Sequence, residues 1–443
     1  MPLNPNIRRP SRRAFLLTAA AGALGAGTYT GWQLMQDEDV PAPPLRTPLW
    51  TFEADDDLRS DWARDGHRLF ASTKYPPRLL AVDAAGGRPG WKVQVGKEYR
   101  EGGPLAVADG TVYQVAEDGV VRAHRAEDGQ ESWSAGPVGT GTPRTPLVLG
   151  STVCVHLMAS TDDDGPFAPG VLCGLDADTG RERWTAPPSR IFMALPKQQL
   201  LLARTGELAG GQSDTRPVGA LDPRTGTARW KASAFGGEDA VALAPDGGTV
   251  YLLDEQHRLC AYSTEAGERR WRADAMDGVI TATKDGSTVY VCTYRGELAA
   301  YDAANGEQRW RRTVTKDVCR PVPVQHDGRV FLTSGEGLGH EGVGDLLGEL
   351  FGMGGERGYV LALSADSGKK LWRTDRLQTC WSAPCAAGED VIVAHGSAWW
   401  AYSARTGKPT WRVDTGDSYS GSFEVVSGVM YGIAAKAIQA VQL

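Results

Sequence analysis

From about residue 48 onward the chain alternates short apolar-rich runs with turns built from Gly, Asp and Pro. One stretch carries such runs at residues 279–282, 288–293 and 298–301, rich in Val, Tyr, Leu and Thr. Runs this short, of this composition and bounded by turn residues, predict strands rather than helices. The pattern also repeats. An eleven-residue phrase, clear in Ala220-Leu221-Asp222-Pro223-Arg224-Thr225-Gly226-Thr227-Ala228-Arg229-Trp230, occurs eight times with Gly at its seventh position and Trp at its eleventh. The copies end at Trp91, Trp133, Trp184, Trp230, Trp271, Trp310, Trp372 and Trp411. Their glycines are Gly87, Gly129, Gly180, Gly226, Gly267, Gly306, Gly368 and Gly407. Successive copies lie 39 to 62 residues apart, and each interval holds three strand-like runs before the Trp-bearing one. Four strands per repeat of this length describe a propeller blade.

The turn has a mechanical reading. Asp or Ser bonds its own backbone two residues on, and Gly takes the positive φ that other residues resist. The outermost strand then delivers an indole that buries roughly 150–250 Å², enough to wedge between neighbouring blades. A structural role is therefore expected for these Trp residues. After Trp411 three more runs, near 423–426, 429–433 and 437–442, lack a closing turn and Trp, whereas residues 48–52 form an orphan strand carrying Trp50. The expectation is an all-β ring in which the N-terminal strand completes the last blade and leaves no free edge. Literal counting gives nine blades.

The consensus Ala-Leu-Asp-Ala-x-Thr-Gly-x-x-x-Trp resembles the repeats of the pyrroloquinoline-quinone (PQQ) type propellers, and the copy from Gly174 to Trp184 departs from it only at the first position. That superfamily includes quinoprotein alcohol dehydrogenases, the propeller lipoprotein of outer-membrane protein assembly, and extracellular sensor domains of some bacterial kinases. The resemblance covers residues 48–443 and implies eight blades. For the dehydrogenases it also implies PQQ, a calcium ion that polarises it, an Asp base, and a disulfide between adjacent cysteines. This chain has no adjacent cysteine pair and no haem-attachment motif, and no calcium-ligand set can be assigned. Nor does it carry Gly-x-Ser-x-Gly, His-Glu-x-x-His or a phosphate loop. The reading is a non-catalytic scaffold or sensor with no cofactor and no metal. The alternative is a PQQ-dependent dehydrogenase.

A formal charge of −7 without a long basic run argues against nucleic acid as partner. Ser11-Arg12-Arg13-Ala14-Phe15-Leu16-Leu17 has the form of a twin-arginine export signal, and a mild Ala/Gly-rich segment follows it. Residues 1–35 are accordingly expected to be a signal or signal anchor, and 36–47 a Pro-containing acidic linker. The propeller, 48–443, is placed outside the cytoplasmic membrane, secreted or tethered through the N-terminal segment. Among the seven cysteines, Cys154 and Cys173 fall on adjacent strands of one blade and Cys319 and Cys380 on matching positions of adjacent blades. Export permits disulfides; the alternative is small buried apolar residues.

Propeller geometry puts the loops leading into each inner strand on one face, together with the loops between second and third strands. Length variation concentrates on that face, at 74–78, 160–170, 205–216 and 334–358, while the motif turns opposite barely vary. Elaborated loops on a rigid scaffold carry function. Candidates for holding an envelope protein or small ligand there are Arg100, Glu101, Arg144, Arg190, Glu238, Asp277, Arg320, Trp381 and Tyr419. Within the longest loop, residues 343–353 present Leu346, Leu347, Leu350 and Phe351 at helical spacing, as a channel cap or an apolar lure for a partner.

Overall fold

The computed structural model describes residues 43–96, 103–116, 118–139, 141–158, 171–186, 191–204, 217–232, 240–314, 320–336, 357–374, 377–378, 382–416, 420–434 and 436–443. Over these the strands pair into nine antiparallel sheets, each built on a four-stranded up-and-down meander, with Leu147–Leu149 and Leu377–Gln378 as short fifth strands in two of them. They form nine blades. Blades 1 to 8 span residues 58–94, 105–135, 142–186, 191–232, 241–274, 279–313, 320–378 and 385–414. Blade 9 takes its first three strands from Ser420–Val426, Val429–Ala434 and Ala437–Gln442. Its outer strand is Trp50–Glu53 from the other end of the chain, paired with Trp50 opposite Ala440 and Glu53 opposite Ala437. The nine of the repeat count therefore stands, and the eight implied by resemblance does not.

Among the described residues there is no single core. The buried apolar residues fall into nine clusters, one at each seam between consecutive blades. The ring closes because the last of these joins Leu58, Leu69, Leu80 and Val82 of blade 1 to Tyr431, Ile433, Ile438 and Ala440 of blade 9. Middle strands lie between two neighbours and read as continuous apolar runs. Thr249–Leu253 and Thr288–Cys292 are buried at all five positions. Outer strands such as Arg269–Asp274 alternate exposed and half-buried residues, because one face meets water.

The seams explain the repeat residue by residue. In blade 6, Tyr290, Ala300 and Trp310 stand opposite one another on three adjoining strands and so share a face. The rings of Tyr290 and Trp310 lie 5.9 Å apart across the small Ala300. The same aromatic–Trp contact joins Phe70 to Trp91, Tyr113 to Trp133, Tyr251 to Trp271, Phe331 to Trp372 and Tyr431 to Trp50. In blade 3 the residue between is Gly174, whose missing Cβ would sit 2.3 Å from the Trp184 ring. The motif's first position is thus the small residue beneath an indole, which is why Gly is admitted there.

Eight of the nine indoles, all but Trp411, then dock on the next blade. The ring N–H of Trp50 donates to Ala84 O, Trp91 to Ala126 O, Trp133 to Ala177 O and Trp184 to Pro223 O. Trp230 donates to Thr264 O, Trp271 to Ala303 O, Trp310 to Ala365 O and Trp372 to Ala404 O. These distances are 2.7–3.2 Å. The acceptor is always the fourth residue of the following motif turn. The turn glycines adopt φ of +66° to +78°, and a Cβ on any of them would fall 2.4–2.6 Å from the docked ring. Gly is required twice at this place, once for backbone sign and once for space.

Cys154 and Cys173 do not face each other. Cys154 lies opposite Gly174 and Cys173 opposite Val155, a register one residue out, so their side chains leave opposite faces of the sheet. Cys154 packs in the seam with blade 4 and Cys173 in the seam with blade 2. Burial pushes both thiols up to about 12. Cys319 and Cys380 lie outside the described residues.

Candidate functional site

On the motif-turn face a recurring set of arginines is bound within its own blade, while Lys197 Nζ donates to Asp246 O at 3.0 Å and His326 Nε2 lies 2.7 Å from Gly388 O, each on the next blade. Arg309 spans Asp302 Oδ2 at 2.8 Å and Thr288 Oγ1 at 2.9 Å. Arg183 spans Asp176 Oδ2 at 2.6 Å and Thr152 Oγ1 at 2.7 Å, and Arg229 reaches Asp222 Oδ2 at 2.9 Å. The Arg183 guanidinium and then the Thr179 hydroxyl hold the Asp176 carboxyl down at about 2. These pairs tie the outer strand to the turn that precedes it. Sequence reading did not single out the arginine one place before the Trp, although its recurrence was visible.

The opposite face gathers groups from neighbouring blades. His257, between the second and third strands of blade 5, lies 3.6 Å from Asp277 at the start of the inner strand of blade 6. That pair shows the two kinds of loop sharing a face. At the start of blade 1 three consecutive carboxylates take three different partners. Asp55 meets Lys92, Asp56 meets Arg78 at 2.7 Å, and Asp57 meets Lys436 of blade 9 at 3.8 Å. Two tyrosines of second-to-third-strand loops, Tyr75 in blade 1 and Tyr294 in blade 6, are 52% and 57% exposed, unusual for an aromatic. Neither the Asp55–Asp57 group nor these tyrosines stood out in the sequence, because nothing local distinguishes a loop-tip aromatic from a packed one.

Of the sequence-derived candidates, Arg144 and Asp277 have described side chains. Arg144 is exposed where the inner strand of blade 3 is interrupted between Thr142–Pro143 and Leu147–Leu149. Its backbone N–H donates to His156 O at 3.0 Å, and its Nε lies 2.7 Å from Met158 Sδ. Arg320 is placed by its backbone, opposite Thr333 on the inner strand of blade 7. Arg100, Glu101, Arg190, Glu238, Trp381 and Tyr419 lie outside the described residues. So do Arg12 and Arg13, the loops 160–170 and 205–216, and the apolar segment 343–353. That last insertion rises from a lengthened hairpin, Arg329–Glu336 against Arg357–Ser364, paired through Glu336 and Arg357.

Among the described residues no three His, Cys, Asp or Glu side chains are grouped to hold a metal ion. Of the five described cysteines, Cys154, Cys173, Cys260 and Cys292 are buried in seams and Cys385 is half-buried. His395 is buried beside Tyr402, its Nε2 2.9 Å from the phenol oxygen, and burial holds it neutral with a pKa lowered to about 3. What the loop face offers is charge of both signs and exposed aromatic surface, the chemistry of recognition.

Comparison with curated proteins gives no match. Among solved structures, BamB from Moraxella catarrhalis is 16% identical with a TM-score of 0.52, over 90% of this chain and 98% of that one. The computationally designed Ika8 protein is 13% identical with a TM-score of 0.51, over 89% and 99%. Quinohemoprotein alcohol dehydrogenase from Comamonas testosteroni is 13% identical with a TM-score of 0.51, over 89% and 76%. Likeness at this level shows the fold alone. A family profile, described as outer membrane protein assembly factor BamB, matches residues 42–193, 214–284, 275–343 and 342–440. With nearly the whole ring matched, the chain belongs to that BamB family of PQQ-like β-propellers.

Proposed function

We propose that this chain is a non-catalytic, extracytoplasmic binding propeller that holds an envelope protein on its loop-bearing face. The observation that carries the reading is the exposed surface of the loop-bearing face, which presents Tyr75, Tyr294, Arg144 and the His257–Asp277 pair from separate blades. On the opposite face Arg183, Arg229 and Arg309 close onto their own blades. A rigid ring with exposed aromatics and charge of both signs on its variable face suits a docking role. Family membership supports it, since the profile is named for an assembly factor of outer-membrane proteins. The twin-arginine form of residues 11–17 and the proline-containing, acidic composition of residues 36–47 support export and a tether at the N-terminus.

The test is in-cell photocrosslinking with a photoreactive residue in place of Tyr75 or Tyr294, and a control at Glu265 on the motif-turn face. A discrete adduct from both tyrosine positions and none from Glu265 is expected. Adducts from Glu265 alone, or from all three equally, would overturn the face assignment. A saturable rise in melting temperature on adding PQQ with calcium would instead favour the dehydrogenase reading.

A further inference from the structure

Eight of the nine seams are fastened by a Trp on a motif turn, and the ninth has no such turn. Blade 9 is assembled from both ends of the chain, so its third and outer strands are joined by no turn at all. Trp411 of blade 8 therefore has no fourth-position carbonyl ahead of it. Its ring N–H turns back to Asp390 Oδ2 of its own blade, at 2.7 Å. The seam is filled by a second indole, Trp399, which is fully buried; a Cβ on Gly432 of blade 9 would meet its ring at 2.4 Å. The ring nitrogen of Trp399 is buried without a hydrogen-bond partner. Every other seam has its docked indole satisfied.

The place of the missing turn is taken by residues 44–46. Leu45 forms a parallel bridge with Arg412 on the outer edge of blade 8. Arg46 N donates to Arg412 O at 2.8 Å, and Arg412 N donates to Pro44 O at 3.0 Å. The Arg46 guanidinium lies over the Trp411 ring, 4.3 Å from its centroid, and donates to Gln442 O of blade 9 at 2.8 Å. One side chain thus touches both sides of the seam, covering the indole as a motif turn does elsewhere.

We propose that residues 44–46 are a releasable clasp, and that lifting them opens the blade 8–blade 9 seam while the other eight stay shut. A motif turn is a hairpin held covalently at both ends by its own blade. The clasp is held by two backbone hydrogen bonds, one guanidinium hydrogen bond and one cation–π contact, on a segment that continues into the N-terminal residues. Force or binding applied to that segment reaches this seam first. The inference is independent of which face binds a partner.

Hydrogen exchange of the full chain tests it. Arg46→Ala should raise exchange about tenfold in residues 409–414 and 437–442, the loss of a contact set of this kind. Residues 269–274 and 308–313 at a Trp–turn seam should not change. Arg46→Lys should restore part of the protection. A disulfide between Leu45→Cys and Arg412→Cys, bridge partners across the clasp, should slow exchange at the same two segments, and it keeps the idea testable should Arg46→Ala not fold. Equal change at all seams, or none at this one in either variant, would overturn the proposal.

Discussion

At the scale of single residues, positions that look alike in sequence do different work. His395 is one of seven histidines with no motif around it, yet it is buried, stacked 4.7 Å from Trp400, and bonded to Tyr402. Its folded pKa lies near 3, below the ordinary 6.5, because burial disfavours the charged ring. Above pH 6.5 the folded and unfolded forms are both neutral and the group adds no pH dependence. As pH falls, the unfolded chain takes up a proton that the folded one refuses, so stability drops by up to about 1.4 kcal/mol per pH unit. His395→Gln, which keeps a hydrogen-bonding group, is expected to flatten the stability profile between pH 6 and 4 (urea unfolding at stepped pH). An unchanged slope would mean that the ring is not held neutral.

At the scale of the element, the strand alone carries little information and the row across three strands carries much. Ala300 and Trp310 open and close one copy of the repeat, Tyr290 lies ten residues before it and outside its pattern, and the three form one packed line. Ala300→Leu should overpack this row at a cost of about 1–3 kcal/mol, and Trp310→Ala should cost about 3–5 kcal/mol by leaving a void in the seam. The two should not add: with the indole gone the leucine has room, so the double variant should be more stable than the sum implies. Strict additivity in denaturant titrations would show that the row is not a packing unit.

At the scale of the whole molecule, stability depends on closure. An open meander of blades would expose Ala437–Gln442 as an unpaired edge beside the apolar faces of Tyr431, Ile433 and Ile438. Removing residues 1–53 takes away the strand that covers them, and the product is expected to self-associate through that edge. Removing only 1–42 leaves the closing strand and the clasp, so a monomer with nearly unchanged melting temperature is expected. Light scattering separates the outcomes. A monomeric, fully stable 54–443 fragment would show that closure matters less than the individual seams.

Much of this was legible in the chain and some was not. The all-β ring and the closing N-terminal strand follow from short apolar runs, turn residues and a repeated Gly–Trp spacing, because those features are local and recur in every copy. The count of nine was likewise in the sequence, and resemblance to other propellers pointed away from it. The cysteine pair shows the converse: strand assignment alone left open whether Cys154 and Cys173 meet or are separately buried, and a one-residue register parts them. Register is set by packing on both faces of a sheet, which no local pattern records. For the same reason the loop face was visible as a place where lengths vary, while the Asp55–Asp57 partners and the exposure of Tyr75 and Tyr294 were not. The sequence by itself determined what each blade is made of, since backbone sign at Gly and the reach of an indole act over a few residues. Only the tertiary structure decided how blade 8 meets blade 9, because Arg46 and Trp411 are brought together by a ring that must first close.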